Sequence, residues 1–585
     1  MDKVNRLYNL LLRNVQGLQR GNMKILGIHD GHNSSACYIE NGVIKFACQE
    51  ERFTYVKNQG GMPIKTIEYI KNKFEIKNFD EVILSNLYMG NYDWSRENII
   101  KSYQHSDSIK NIFKQYIKRN NFFFWLYKKK SNIKRSKIIE ELFPNQRVAF
   151  LDHHLSHASA AYYGYGAIKN KQLVITCDGS GDGFCASVNV GENGKLSNIL
   201  NIEEQHSIGR VYSYFTYLFN MVPYEHEYKI MGLAPYCSDI NRINIAKKKL
   251  FKLFQFVDDD THWRYIGKYP SIQSAGKELK AIFYETRFDI LSAAIQEFIE
   301  EMLCKWIYGL IKKTSINNVI LSGGIFMNVK ANMLIAKLKN INSIYVLPSC
   351  SDDTNAIGAA FYRYYQKNNN MPKKISNFYL GGSCIEESND IDKIKSSGFK
   401  YKKYKGIEEK IAMLLSQGKI VGRIQGNMEF GARSLGNRAI LANPSIDGVL
   451  KTINQMIKGR DFWMPFAPSV LYEDIEKYFH LDTNVQNYEY MIFTVESKSK
   501  KRNYAKSALH PYDFTGRPQS VRKEQNPNFH RLLTHYKKLT GESLILNTSY
   551  NLHGYPMVRT IEQVLDVFSK SSLKYLAVEE YLLQK

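Results

Sequence analysis

Two stretches of the chain, KILGIHDGHNSSACYIENGVIKFA (24–47) and LVITCDGSGDGFCASVNVGENGKLSNI (173–199), share one plan of apolar and polar positions. Each has an apolar run, an Asp-Gly turn rich in small polar residues, a second run, an Asn-Gly pair and a third run. Asn-Gly between such runs predicts hairpins at 41–42 and 193–194. Asp30 and Asp178 fall at equivalent places, so the repeat predicts two similar α/β lobes facing each other. Asp-Gly turns between strands expose backbone N–H groups and little side-chain bulk, which suits the approach of a phosphate. After the second copy come an aromatic helical stretch (209–222), EHEYKIMGLAPY (225–236) and a long helical region around 288–313. NNVILSGGIFMNVKANMLIAKL then reads as strand, Gly-Gly turn and helix, with a helix N-terminus where an anion can sit. SIYVLPSCSDDTNAIGAAFYRYY repeats that unit with two adjacent aspartates at its turn.

A polar stretch, QKNNNMPKKIS (366–376), reads as a linker, and beyond it the texture changes. KIVGRIQGNMEFGARSLGNRAILANP, MIKGRDFWMPFAPSVL and GRPQSVRKEQNPNFHRLL are dense in arginine among Gly, Asn and Pro, and ESLILNTSYNLHGYPMV ends a strand in an Asn/Thr/Ser turn. Arginines among small residues in an α/β setting address phosphate or carboxylate groups.

A length of 585 residues predicts two to four domains, and 44% hydrophobic residues leave ample material for cores. No run of eighteen apolar residues occurs, so no membrane span is expected. The first 22 residues lack a small-residue cleavage site and read as an appended helix or arm rather than a signal peptide. Eight cysteines without a CxxC pattern are expected to be reduced, and the location cytoplasmic. The net charge of +24 admits nucleic acid, a membrane surface or anionic small molecules, although much of it is lysine scattered among Ile, Asn and Tyr. The exception is 109–137, IKNIFKQYIKRNNFFFWLYKKKSNIKRSK, basic and aromatic together. It reads either as a helical insertion, with Phe122–Trp125 packed inward and Lys128–Lys130 exposed, or as a contact for lipid head groups or a phosphorylated carrier.

AFLDHHLSHASAAYY (149–163) places three histidines and an aspartate where a β-like run gives way to a helical one. On a helix, His153 and His157 are i,i+4 and His154 and His157 are i,i+3, so either pair can converge on one ion. Asp152 as N-cap with satisfied histidines accounts for the same pattern. The pattern by itself leaves both readings open.

Together the motifs are specific. ILGIHDGHNSSACYIENG, DHHLSHASAAYY, DGSGDG, EYKIMGLAPY, SGGIFMNVKAN, DDTNAIGAA, GNMEFGARSLGNRAIL, KGRDFWMPFAPS, GRPQSV and LNTSYN resemble, in order, the O-carbamoyltransferases of the nodulation-factor and cephem-antibiotic type, from Met23 onward. The resemblance implies an α/β chain: a duplicated actin-like (ASKHA) domain over 23–370, then a domain over 377–585 like the one that makes threonylcarbamoyl-adenylate. It implies that the second domain makes carbamoyl-adenylate from carbamoyl phosphate and Mg-ATP, and that the first transfers the carbamoyl group to a hydroxyl of a sugar-like or natural-product acceptor. Keeping both steps in one protein protects a hydrolysable intermediate from water.

The same resemblance implies the site residues. His153, His157, Asp178 and Asp352 would hold a divalent metal, iron(II), although the doubled aspartate leaves Asp353 open. Asp30 and His32 would lie near the transferring group. Glu227, Lys229, Gly323, Gly324 and Asn328 would hold the adenylate in the first domain. Lys458 and Arg460 would be catalytic in the second, where Arg433, Arg438, Arg517, Asn547, Thr548, Ser549 and Asn551 would meet carbamoyl phosphate and ATP. Three departures from the family pattern, at GARSLG, at HPYDFTGRPQSV and at Tyr555, remove no basic group. A homodimer without nucleic acid is expected. An actin-like kinase would leave the arginine-rich half without a purpose, and a tRNA threonylcarbamoyl transferase fits the motif set less well.

Overall fold

The structure, a computed structural model, describes residues 22–88, 94–118, 121–166, 170–387 and 389–585, with backbone alone at 118 and 121–131. The expected N-terminal arm therefore lies almost wholly outside the described residues. In the first lobe, β1 (Lys24–His29), β2 (Ser35–Glu40) and β3 (Val43–Gln49) form an antiparallel meander, and β4 (Glu81–Leu84) and β5 (Val148–Phe150) add on parallel, in the order β3-β2-β1-β4-β5. The second lobe repeats this. β6 (Gln172–Gly181), β7 (Phe184–Glu192) and β8 (Lys195–Glu203) form the meander; after a small hairpin, β9 (Phe254–Val257) and β10 (His262–Tyr265), β11 (Asn318–Ser322) and β12 (Ser343–Val346) extend it in parallel. Asn41-Gly42 and Asn193-Gly194 all have positive φ, the backbone of a tight hairpin turn. The result is a duplicated actin-like fold.

The two lobes meet through equivalent helices, His153–Tyr165 after β5 and Asn355–Asn368 after β12. Their axes approach closely because Gly358 carries no side chain: a Cβ there would lie 1.9 Å from the carbonyl oxygen of Ser156. The long helix Phe288–Thr314 is buried along most of its length, and its Trp306 indole N–H donates to the Thr261 carbonyl (2.8 Å) while its ring meets Trp263 edge-on.

The arginine-rich half builds an α/β unit. Its strands are β13 (Lys400–Lys403), β14 (Val421–Ile424), β15 (Arg438–Ala442), β16 (Ala467–Leu471), β17 (Phe479–His480), β18 (Val495–Ser497), β19 (Thr515–Gly516), β20 (Gln519–Val521), β21 (Leu544–Ser549), β22 (Tyr575–Val578) and β23 (Tyr581–Gln584). Eight form one mixed sheet, β13-β23-β22-β14-β15-β21-β16-β20, and β17-β18-β19 form a small one. Hydrophobic clusters cover both faces of the large sheet. Segment 109–137 is helical over Ile109–Lys118 and Asn121–Leu142; the expected packing of Phe122–Trp125 and exposure of Lys128–Lys130 lie outside the described residues. Among the described residues no helix is long and apolar enough to cross a membrane, and all eight cysteines are unpaired.

Candidate active site

The helix His153–Tyr165 answers both readings of its histidines. Asp152 is the N-cap, its Oδ1 accepting from the Leu155 amide (2.9 Å), and the three histidines are all buried. His153 and His157 turn their Nε2 atoms toward Asp178 Oδ2, at 3.2 and 3.3 Å, and toward Asp352 Oδ1, at 3.7 and 3.4 Å. One donor atom from each of the four lies within 4.8 Å of the others. Burial alone would raise Asp178, but the hydrogen bonds and charge of His153 and His157 hold its carboxyl well below the usual range. Burial and the neighbouring Asp178 push Asp352 well up instead. Two imidazoles and two mutually repelling carboxylates match the donor set of a divalent first-row metal ion. His154 is not among them; its Nδ1 meets Thr176 Oγ1 at 2.8 Å. Nor is Asp353, whose Oδ2 accepts from Gln49 and Ser349.

The tautomer of His153 is set from behind. Its Nδ1 lies 2.8 Å from Asn86 Oδ1, an acceptor, so Nδ1 carries the proton and Nε2 is left with a lone pair. Asn86 in turn donates to Asp30 Oδ1 (3.3 Å). Asp30 itself is fully buried and bound by Arg135 through both oxygens, at 2.7 and 2.9 Å. It was expected beside the transferring group; its oxygens are committed to Arg135, which makes it a support for the ligand shell. His32 is buried against the Trp94 and Tyr224 rings, its Nε2 without a hydrogen-bond partner among the described residues and burial pushing its pKa down to about 4. Gly323, with φ of +102°, passes over the strand at Cys177, and a Cβ there would lie 2.2 Å from its carbonyl oxygen. Gly324 follows directly beside Asp178.

The other expected adenylate residues separate. Glu227 is half-buried, accepts from the Tyr224 amide and Ser213 Oγ, and is raised to about 7 by desolvation. Asn328 caps the helix Val329–Ala336 and exchanges hydrogen bonds with Gln296, so its amide serves the fold. Lys229 reaches across to Asp461 (3.0 Å) and lines a cavity of about 390 Å³ together with Lys458 and Arg460. Groups expected in separate domains thus share one cavity, with Lys57 and Arg96 contributed by the first lobe.

In the C-terminal unit, Lys458 donates to Ser549 Oγ, Asn551 Oδ1 and the Asn551 carbonyl at 2.7–3.2 Å. Burial lowers its ammonium well below the usual range, and Arg460 and Lys57 lower it further. Burial likewise lowers Arg433, to about 10, and Arg517; Arg460 depresses both, and Arg433 depresses Arg517. No ion pair to Arg433, Lys458, Arg460 or Arg517 exists among the described residues. Arg438 is a different arginine: its NH1 and NH2 groups donate to the carbonyls of Gln425, Asn437 and Gly426, which holds the chain rather than an anion. Asn547 is tied to Ser434, Ser469 and Gln519 inside the sheet. Thr548, one residue on, falls on the opposite face with Leu544 and Leu546, because side chains alternate along a strand.

Residues 24–361 match the family described as "Carbamoyltransferase N-terminus" and residues 412–585 that described as "Carbamoyltransferase C-terminus". The chain belongs to the carbamoyltransferase family. As a carbamoyltransferase it is an enzyme, and its relatives span several settings. An uncharacterized protein of Methanocaldococcus jannaschii is 28% identical over 96% of this chain and 100% of its own. Nodulation protein NolNO of Sinorhizobium fredii is 27% identical over 95% and 79%. The 3'-hydroxymethylcephem-O-carbamoyltransferase of Amycolatopsis lactamdurans is 28% identical over 42% and 44%.

In this carbamoyltransferase the sequence reading missed Arg135, Asn86, Lys57 and Arg96. Arg135 lies in the basic segment, where its neighbours point to a solvated charge. Replacing Arg135 with methionine leaves the Asp30 carboxylate buried without a partner and is expected to cost about 3–5 kcal/mol of stability. The double variant Arg135→Met/Asp30→Asn should regain much of that loss, read as recovery of Tm. A single variant as stable as the wild type would show that the pair is not a structural anchor.

Proposed function

We propose that this carbamoyltransferase is ATP-dependent and works through carbamoyl-adenylate. Release of both phosphate and pyrophosphate takes one water: cleavage of carbamoyl phosphate at phosphorus leaves carbamate, whose oxygen attacks the α-phosphorus of Mg-ATP as pyrophosphate departs. An acceptor hydroxyl then attacks the carbamoyl carbon, the bond to the AMP oxygen breaks, and the hydroxyl proton passes to a base. The observation that supports the reading is the group of buried Lys458 and half-buried Arg433, Arg460 and Arg517, whose ionised forms are disfavoured by desolvation and, for Arg433, Lys458 and Arg517, by the neighbouring Arg460, with no acid partner among the described residues. Such a group is unfavourable until anionic ligands arrive, and a substrate pair rich in phosphate supplies them.

Ser549 and Asn551 hold Lys458 in place by neutral acceptors, leaving its charge for a phosphate. Lys229 and Lys57, which line the same cavity as Lys458 and Arg460, are the cations we assign to the adenylate phosphate as it moves toward the first lobe. His32, uncharged near neutral pH, is the base we assign to the acceptor hydroxyl. A divalent metal such as iron(II), held by His153, His157, Asp178 and Asp352, would supply positive charge against the oxygen on which negative charge builds. Asn86 and Asp30 keep the His153 ring turned to receive it. We assign the acceptor to hydroxyl-bearing sugars or natural products and the location to the cytoplasm.

The test is steady-state release of pyrophosphate from ATP. It is expected to require carbamoyl phosphate and to proceed without an acceptor. Pyrophosphate release that ignores carbamoyl phosphate, or ADP as the nucleotide product, would exclude the adenylate route.

A further inference from the structure

Residues 224 and 225 are neighbours in the chain but face different spaces. The Tyr224 ring lies on His32, their ring centroids 5.0 Å apart, and the Trp94 ring closes on both, 5.6 Å from His32 and 6.4 Å from Tyr224. The Arg210 guanidinium lies over the same Tyr224 ring at 5.4 Å. The Glu225 side chain instead lines the shared cavity of about 390 Å³. There its two oxygens accept from Arg96 Nε and Nη2, at 2.9 and 2.8 Å, and one pairs with Lys57 at 3.0 Å; His226 stands farther off at 3.8 Å. One residue thus covers the base assigned to the acceptor hydroxyl, and the next holds two cations of the cavity. The pair forms part of the partition between them.

The partition is held by contacts that a phosphate can remove. Tyr224 has a φ of +66°, a backbone that a residue with a side chain keeps only while its surroundings enforce it. The Glu225 side chain is 4% exposed, and a carboxylate so buried stays charged at low cost only beside its cations. Those cations face the cavity, the Arg96 side chain 54% exposed and that of Lys57 28%. A phosphate in the cavity is also drawn by Lys458 and Lys229, so it competes with a lone carboxylate for Lys57 and Arg96. Glu225 stripped of both must turn toward water, and its backbone is joined to that of Tyr224.

We propose that Tyr224 and Glu225 form an anion-operated latch: a nucleotide phosphate that draws Lys57 and Arg96 from Glu225 releases Tyr224 from His32, so the base is uncovered only while the cavity is loaded. Both are positioning residues, and their purpose rests on the reading of His32 as the base and of the cavity as the path of the adenylate. Diethyl pyrocarbonate acylates uncharged imidazole where it can reach it, and peptide mass spectrometry locates the product. In the wild type, His32 is expected to react slowly alone and at least ~10-fold faster with AMP as the phosphate probe. Glu225→Gln and Tyr224→Gly should react at the fast rate without AMP, glycine being at ease with a positive φ. Buried His154 should stay protected in both, which separates local opening from unfolding. In Glu225→Gln, carbamoylated acceptor per pyrophosphate released should fall, because water attacks the carbamoyl carbon, the bond to the AMP oxygen breaks, and AMP and carbamic acid leave. Fast reaction of His32 in the wild type without AMP, no response to AMP, or a Glu225→Gln rate equal to wild type would overturn the latch. A His32 that responds to AMP in a protein whose pyrophosphate release ignores carbamoyl phosphate would keep the latch and remove the adenylate route; the reverse pattern would remove the latch alone.

Discussion

Replacing His157 with alanine is expected to abolish carbamoyl transfer while pyrophosphate release dependent on carbamoyl phosphate continues. His157 is buried and gives its Nε2 to the group formed with His153, Asp178 and Asp352, on the helix between the two actin-like lobes. The cations assigned to adenylate formation stand on other elements, at 433, 458–460 and 517. Losing one of four donors removes more than an outer contact does, so transfer should fall by on the order of 100-fold or more, together with retained metal after dialysis. Pyrophosphate release should stay within about twofold of wild type by the same logic of independent sites. A folded variant that loses both activities would show that the two steps do not divide between the two parts of the chain.

Arg517→Met and Arg433→Ala are expected to do the reverse, and to leave the ligand-free protein at least as stable as before. Each guanidinium is half-buried, and desolvation together with neighbouring cations lowers its folded-state pKa, so the charged form is less favourable in the fold than in the unfolded chain. Removing it relieves that desolvation and repulsion, which thermal unfolding without nucleotide will read as an unchanged or higher Tm. Adenylate formation should fall roughly 10- to 150-fold for each lost contact, the equivalent of about 1.5–3 kcal/mol for a charge-assisted hydrogen bond. Synthetic carbamoyl-adenylate should restore transfer in both variants. Loss of stability alongside activity, or failure of the rescue in folded protein, would make these arginines part of the scaffold. Arg438, whose donors are spent on carbonyls, is the comparison: its replacement should lower Tm.

Local patterns carried a great deal. The two lobes were legible because strand alternation and Asn-Gly turns act over a few residues, and the same short-range rules produced β1–β2–β3 and β6–β7–β8. The pairing of His153 with His157 was legible because i and i+4 share a helix face whatever surrounds the helix. Matching motifs in order gave the family, since each motif is short and contiguous. What lay beyond reach were choices between chemically identical residues. Asp352 and Asp353 differ by one position, and only the turn before Asn355–Asn368 sends the first toward His157 and the second toward Gln49 and Ser349. Arg433, Arg438 and Arg517 have one side chain between them, yet only Arg438 meets carbonyls placed to take its donors, while the others meet more cations. Thr548 left the expected pocket because a strand turns consecutive side chains to opposite faces. Arg135 sits 105 positions from the carboxylate it binds, and Lys57 and Lys458 come near one another only once the first lobe packs on the C-terminal unit. Spacing along the chain determines which residues share an element; which elements face each other, and so which charges meet, follows from packing that no local window contains.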